Sequence, residues 1–499
     1  MTDTAYRTLE AKFRKIASLD GAMAVLHWDS ATMMPAGGAE TRAEQLATLA
    51  EIRHQAMTDP AIPDLAAAAA NAVDVADGWR HGNLREALRQ WRHANALPLD
   101  LVVRRSKANS ACEMAWRSAR GNNDFKAVAP LLETVIAIAV EVAAAKASAL
   151  GLAPYDALLD SYDPDLRGAE VDRLFADLKN FLPGFLDRVL AEQAKAPAAI
   201  VPPGPFGQAD QRVLAERLLD ALGFDRHHGR LDVSHHPFTG GVPADVRITT
   251  RYDETNFTRS LMAVIHETGH ALYEMGLPAE WRDQPVGGAR GMTMHESQSL
   301  LMEMHACRSL EFLGYLAPHA RAAFAGTGVA WEIANLKRVY LKVERGLIRV
   351  DADEVTYPLH VILRYDLERA LLAGSLKVAD LPQAWREGLR RLVGVAPPDD
   401  KDGCLQDIHW YGGDFGYFPT YTLGALAAAQ LFAAAKRAVP EIPAAIGAGR
   451  FAPLVGWLRA NVHGVGSRLS TQEILAAATG APLGTEAFKR HLNARYLDG

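Results

Sequence analysis

The sequence predicts a mainly α-helical protein with one small antiparallel β-sheet. Apolar residues recur at three- and four-residue steps, as in Val171, Leu174, Phe175, Leu178, Phe181, Leu182, Phe185, Leu186, Val189 and Leu190, which places them on one face of a helix, with Pro183 as a kink point. Comparable patterns run through the N-terminal third and through Trp331 to Leu347. Alanine-rich segments strengthen the prediction, because alanine has the highest helix propensity. The exception lies between about Arg230 and Asp253. There His235-His236-Pro237-Phe238-Thr239-Gly240-Gly241 cannot continue a helix and leads into Val246 to Tyr252, where β-branched residues dominate. A strand here either offers its free edge to an extended peptide or completes a structural hairpin.

The 499 residues are 49% hydrophobic and 22% charged, an ordinary globular balance with ample length for a large core. A net charge of −6, a pI near 6.3 and no block of like charge give no footing for nucleic acid or an anionic membrane. Met1 to Glu10 lacks a basic start followed by an apolar run, which points to the cytoplasm. The most apolar stretches read as buried helices: Val135 to Leu152 is interrupted by Glu141 and Lys146, and Gly424 to Ala435 is too short to span a bilayer. Cys112, Cys307 and Cys404 are odd in number and far apart, which argues against a disulfide framework or a cysteine metal site. Ala196 to Pro205 is a loop or linker, but no composition shift marks a second domain. The expectation is a single domain over 1–499, with a helical part to about residue 200 and a catalytic part over about 230–430.

The chemistry concentrates in His266-Glu267-Thr268-Gly269-His270. On a helix, residues four apart stack on one face, so both imidazoles can reach one ion, while Glu267 sits about 100° round the same turn. The flanks are apolar, and the helix is expected to end at Gly276 with Pro278 beyond it. Zinc in this arrangement takes a third protein ligand and leaves a fourth position to water. Tyr273 and Gly276 stand where a metzincin needs glycine and histidine, which excludes that class. Glu274 lies one turn after His270, but the best candidate is Glu296, which opens another apolar helix at His295-Glu296-Ser297-Gln298-Ser299.

With these segments stand Asp245-Val246-Arg247-Ile248-Thr249, Ile348-Arg349-Val350-Asp351-Ala352-Asp353 and Gly403-Cys404-Leu405-Gln406-Asp407-Ile408-His409-Trp410. His27-Trp28-Asp29, Met34-Pro35, Arg42, Tyr155 to Asp160 and His236 to Thr239 add to the set. In kind and order these resemble the motifs of the carboxypeptidase Taq-like (M32) metallopeptidases, over nearly the whole chain. Met302 and Met304 depart from the pattern, standing where a tryptophan and an asparagine are expected beside Glu303. The resemblance implies an elongated, helical, zincin-type subunit with a deep groove, usually a homodimer. It also implies zinc, with cobalt as a substitute, and release of single residues from peptide C-termini with broad specificity.

On that reading His266, His270 and Glu296 hold the metal and Glu267 is the general base. His409 and Tyr421 are the expected oxyanion donors, with Tyr411 and Tyr417 as competitors for the tyrosine role. Arg349 is the candidate for the substrate's terminal carboxylate, oriented by Asp353 or merely ion-paired with it. Arg247 serves substrate positioning or sheet structure, and Gln298 and Asp407 are candidates to orient the ligand histidines. Two alternatives stay open: a zinc oligopeptidase or endopeptidase using the same ion and base, and a silent peptide-binding protein with a structural metal.

Overall fold

A computed structural model describes residues 2–71, 73–74 and 76–498; Met1 of the N-terminal segment lies outside them. Four helices open the chain: α1 (Thr2–Thr32), α2 (Ala39–Met57), α3 (Ala61–Ala70) and α4 (Gly78–Asn95). Next come α5 (Leu99–Asn122), α6 (Phe125–Leu150), α7 (Pro154–Leu159), α8 (Gly168–Gln193) and α9 (Gln208–Leu222). Strands β1 (Gly229–Val233), β2 (Thr239–Val242) and β3 (Asp245–Thr250) lead into α10 (Phe257–Gly276) and α11 (Gly291–Leu300), and α11 continues as a π-helical turn over Leu301–Ala306. The remainder is α12 (Leu310–Ala323), α13 (Ile333–Tyr340), α14 (Tyr357–Leu372), α15 (Leu381–Leu392), α16 (Pro419–Ala438), α17 (Ile442–Gly447), α18 (Ala452–Asn461), α19 (Thr471–Thr479) and α20 (Glu486–Tyr496). The expected mainly α architecture is what forms, and α8 runs unbroken through Pro183.

The chain divides into two compact units. One comprises Met1–Ala94, Ala198–Leu341 and Ala427–Leu483; the other comprises Asn95–Pro197, Lys342–Leu426 and Gly484–Gly499. One of the boundaries falls inside the Pro- and Ala-rich run from Ala196 to Pro205.

In the first unit β3 is the central strand. β1 runs parallel to it, with Gly229 opposite Val246, and β2 antiparallel, with Val242 opposite Asp245. The sheet is therefore mixed, a correction to the antiparallel sheet expected from the sequence. Two chain reversals, at 234–238 and at Pro243-Ala244, return β3 to the direction of β1. Because β3 inserts between the other two strands, β1 meets a parallel neighbour. Alternate residues Val246 and Ile248 point inward and pack with Val264 and Ala271 of α10 and Leu219 of α9.

α10 starts where the Asn256 side chain accepts a hydrogen bond from the Thr258 N–H, and it ends at Gly276 as expected. Its far face meets α11 almost backbone to backbone. A Cβ added at Gly269 would lie 2.5 Å from both the carbonyl oxygen of Gln298 and Cα of Ser299, so only glycine permits this approach. The start of α11 is pinned as well: the Arg290 N–H donates to the Tyr273 hydroxyl (3.1 Å), and the buried Arg290 guanidinium pairs with buried Glu86 of α4 (2.7 Å). Gly276 gives room to His463, whose ring would meet an added Cβ at 2.5 Å.

In the second unit α5 and α6 form a helical hairpin closed by Asn123 and Asp124; Asn123 adopts the left-handed conformation at φ 56°. By length and composition α6 is long and apolar enough to cross a membrane; in this unit it buries Phe125, Val128, Leu132, Val135 and Val142. The core helix α14 carries charged residues into the interior, with Arg364 and Glu368 fully buried among Leu359, Ile362, Leu363 and Leu371. Burying such groups is tolerable only with specific partners.

Gly269→Ala should destabilise the protein by about 2–4 kcal/mol, because two helix backbones, not a flexible side chain, must move. Urea unfolding of the purified variant against wild type measures this.

Candidate active site

His266 and His270 point their Nε2 atoms at one oxygen of Glu296: Oε2 lies 3.9 Å from the first and 3.6 Å from the second. One donor atom from each of the three residues falls within 4.8 Å of the others. A tetrahedral ion with bonds of about 2.0–2.1 Å holds neighbouring donors roughly 3.4 Å apart, so this set fits a divalent metal after a small contraction.

The tautomers fit too. Glu303 Oε2 accepts from His266 Nδ1 at 2.9 Å, so Nε2 is the nitrogen turned toward Glu296, where an ion would take the place of a proton. Glu303 is itself held by the Arg308 guanidinium at 2.6 Å. His295 donates from Nε2 to Glu274 (2.7 Å), so its Nδ1 is an acceptor for the Nδ1–H of His270 (2.8 Å), and His270 likewise turns a lone pair at Nε2 toward Glu296. Glu296 and Glu303, two turns apart on α11 and its π-helical continuation, bracket the His266 ring from opposite sides. Burial alone would lower the pKa of His266, but the Glu303 bond and the charges of Glu296, Glu303 and Glu267 outweigh it and raise it to about 10. Burial and the neighbouring His295 and His266 push His270 well down. The field here is one that attracts a cation.

Glu267 is buried at 7% exposure, which raises its carboxyl pKa. The Thr239 hydroxyl donates to its Oε2 at 2.6 Å.

His409, Tyr421, Arg349 and Asp407 lie in the second unit. Asp407 accepts from Arg349 through Nε (3.0 Å) and Nη2 (2.8 Å), and from Arg364 through Nε (2.6 Å). Gln406 Oε1 takes the Arg349 N–H and Arg364 Nη2. Two guanidiniums against one carboxylate hold the Asp407 pKa far below the carboxylate range despite burial, and burial lowers that of Arg364 to about 10. Arg349 stacks on Tyr421, with its guanidinium carbon 4.9 Å from the ring centre, and its Nη1 donates to the Tyr357 hydroxyl at 3.2 Å. His409 Nε2 lies 3.3 Å from the Tyr421 hydroxyl. Burial first, then Arg349 and Arg364, lowers its pKa to about 4. Of the competing tyrosines, Tyr411 is fully buried and donates to the Cys404 carbonyl, whereas Tyr417 stacks on His409. Glu368 fastens the loop that follows His409: it accepts from Tyr155 (2.7 Å), Trp410 (2.7 Å) and the Gly416 N–H (2.8 Å), and burial raises its pKa to about 7.

Several supporting roles differ from expectation. Asp353 bonds the backbone N–H groups of Glu344, Val355 and Thr356 and so closes the turn that precedes α14, while Asp407 is the partner of Arg349. Gln298 bonds His463, and the side chains bonded to the His266 and His270 rings are Glu303 and His295. Glu274 supports His295. Arg247 pairs with Asp245 (2.7 Å) and lies over the Trp28 ring (4.2 Å), joining β3 to α1. Glu303 was detectable as a carboxylate seven residues after Glu296 on the same helical face, and Arg364 as a lone charge in an apolar helix. Thr239 closes the His236 to Thr239 segment, but its partner Glu267, 28 residues on, is set by packing.

A helical chain that turns two histidines and a glutamate onto one point, beside a buried carboxylate, has the design of a metal-dependent hydrolase. A model of the carboxypeptidase Taq (M32) metallopeptidase family matches residues 8–496. The thermostable carboxypeptidase 1 of Thermus thermophilus is 41% identical, with 99% of this chain and 98% of the relative covered; that of Pyrococcus furiosus is 34% identical, over 98% and 97%. Among solved structures, Trypanosoma cruzi metallocarboxypeptidase 1 is similar at a TM-score of 0.97 and 40% identity, covering 99% of this chain and 100% of its own. The M32 carboxypeptidase of Deinococcus radiodurans is similar at 0.93 and 35%, covering 99% of each. The chain belongs to the M32 metallocarboxypeptidase family and is a peptidase.

Glu303→Gln should weaken metal binding about 10- to 100-fold, since the anion that fixes the His266 tautomer is lost; competition against a chromogenic chelator reads this directly. Acid should also destabilise the fold. Burial lowers the pKa of His360 to about 3 and that of His409 to about 4, so both stay neutral in the folded state while the unfolded chain takes up protons near 6.5. Their stability contribution is thus complete above pH 6.5 and declines as pH falls toward 4, by up to about 2 kcal/mol per histidine between pH 6.5 and 5. Urea unfolding at pH 7 and pH 5 should show the loss, with a shallower pH dependence in His360→Gln.

Proposed function

We propose that this peptidase is a zinc-dependent carboxypeptidase that releases single residues from peptide C-termini with broad specificity. The convergence of His266 and His270 on Glu296, with the Glu267 carboxylate buried beside them, carries this reading. Two imidazoles and a carboxylate suit zinc, and cobalt by similar ligation. Bound there, the ion supplies Lewis-acid polarisation of the scissile carbonyl and lowers the pKa of a water.

The remaining work falls to the protein's own groups. Glu267 takes the proton of the attacking water and returns it to the leaving amine. Burial raises the pKa of Glu267, which suits a group that accepts a proton and then gives it up. His409, neutral at pH 7, and the Tyr421 hydroxyl donate to the carbonyl oxygen as it gains charge. Arg349 receives the terminal carboxylate, supported by the excess positive charge of the Arg349, Arg364 and Asp407 group. Arg247 acts through sheet structure. The proposal extends, through the family resemblance, to a homodimer, and to work in the cytoplasm.

One observation favours the oligopeptidase alternative: the Nε and Nη2 edge of Arg349 is committed to Asp407, which leaves the Nη1 side toward Tyr357 for a substrate. A matched pair of peptides, free acid and C-terminal amide, separates the two. The free acid should lose residues one at a time from its C-terminus while the amide persists; equal cleavage of both would sink the carboxypeptidase assignment. Glu267→Gln should keep its zinc and lower kcat by about 10²- to 10⁴-fold on the free acid.

A further inference from the structure

Glu267 is nearly out of contact with water at 7% exposure, and a glutamate has three rotatable bonds to fix before it can serve as a base. Among the described residues, its carboxylate receives one hydrogen bond, from the hydroxyl of Thr239 at 2.6 Å. The same hydroxyl lies 3.0 Å from the backbone carbonyl of Glu267. It has a single proton, and the nearer, charged acceptor takes it. We propose that Thr239 is a positioning residue for the catalytic base: its hydroxyl fixes the rotamer of the Glu267 carboxylate through Oε2 and leaves Oε1 to face the water that is deprotonated. The inference rests on the reading of Glu267 as that base.

The surroundings of Thr239 suit the task. It opens β2, an edge strand whose register is locked by pairing to Ile248 of β3. Just before it, Phe238 and Thr249 exchange hydrogen bonds: the Phe238 N–H donates to the Thr249 hydroxyl (3.0 Å), and the Thr249 N–H donates to the Phe238 carbonyl (2.9 Å). β3 in turn is packed on α10 through Val246, Ile248, Val264 and Ala271. The β-branched side chain has little freedom about χ1. The hydroxyl is therefore fixed relative to the same helix that carries Glu267, and the sheet acts as a template for the base.

A bond to the Glu267 carbonyl alone would make Thr239 a clasp between strand and helix, so the test must separate geometry from stability. Thr239→Val keeps the shape and removes the hydroxyl; Thr239→Ala does the same with a smaller side chain should the valine fail to fold; Thr239→Ser restores the donor. Zinc content, thermal unfolding, kcat and KM on one free-acid peptide are measured for each, with Glu267→Gln alongside. The expected result is a fall in kcat of about 10- to 100-fold in the valine or alanine variant, the worth of one hydrogen bond to a charged group, with KM, zinc content and unfolding temperature unchanged. Serine should restore kcat to within about threefold of wild type. Wild-type kcat in the valine variant beside an inactive Glu267→Gln would overturn the role of Thr239 and leave the base in place. Loss of zinc or of thermal stability in step with kcat, without rescue by serine, would reduce Thr239 to a clasp. An active Glu267→Gln would remove both the base and its positioner.

Discussion

The close approach of α10 and α11 at Gly269 is the constraint on which the metal group depends. Ordinary helix pairs sit about 8–10 Å apart, held off by their side chains. Here Gly269 stands against the backbone of Gln298 and Ser299, and the missing side chain lets the carboxylate of Glu296 meet imidazoles from the facing helix. The two unnamed positions inside the His-Glu-x-x-His segment are thus not spacers. Thr268 returns its hydroxyl to the Val264 carbonyl at 2.6 Å and is fully buried, and Gly269 makes the room. The anchors at the start of α11, from Tyr273 and Glu86, keep that contact in register.

Each unit buries a charge centre, and the two are of opposite character. Around His266 the carboxylates of Glu267, Glu296 and Glu303 favour positive charge, and Glu303 holds the ring with Nε2 turned toward Glu296. Around Asp407 two guanidiniums outnumber one carboxylate, in a setting of Tyr357, Phe418 and Tyr421 rings. Neither arrangement is a stability device by nature. Buried charges are costly, and breaking such pairs leaves an uncompensated ion, so each group persists only through its specific partners.

The helical architecture was legible because apolar spacing reports directly on which face is buried, and the metal donors because His266 and His270 share one turn. The strand of Val246 and Ile248 was legible from β-branched residues, but strand direction was not, since it depends on which strand inserts between the others. The most consequential misses are long-range. Arg349 chose Asp407, 58 residues away, over the nearby Asp353, which was already occupied by backbone donors at the start of α14. Gln298 lies beside Glu296 in sequence yet serves His463, 165 residues on. Local spacing ranks partners by proximity along the chain, whereas packing decides which side chain has an unsatisfied group to offer.

The alternation of the chain between its two units has a consequence for how the protein is made. All three donors for the metal have been synthesised by residue 296, yet the unit that holds them also requires 427–483, with 342–426 belonging to the other unit made in between. The second unit in turn waits for the final helix, whose His491 and Arg495 bond Glu354 at 3.1 and 2.9 Å. On the ribosome, the first unit stays open until 427–483 has been made, so the nascent chain carries the His266, His270 and Glu296 set on an unfinished core. That core is completed beside the histidine helix when His463, from the 427–483 segment, fills the space next to Gly276.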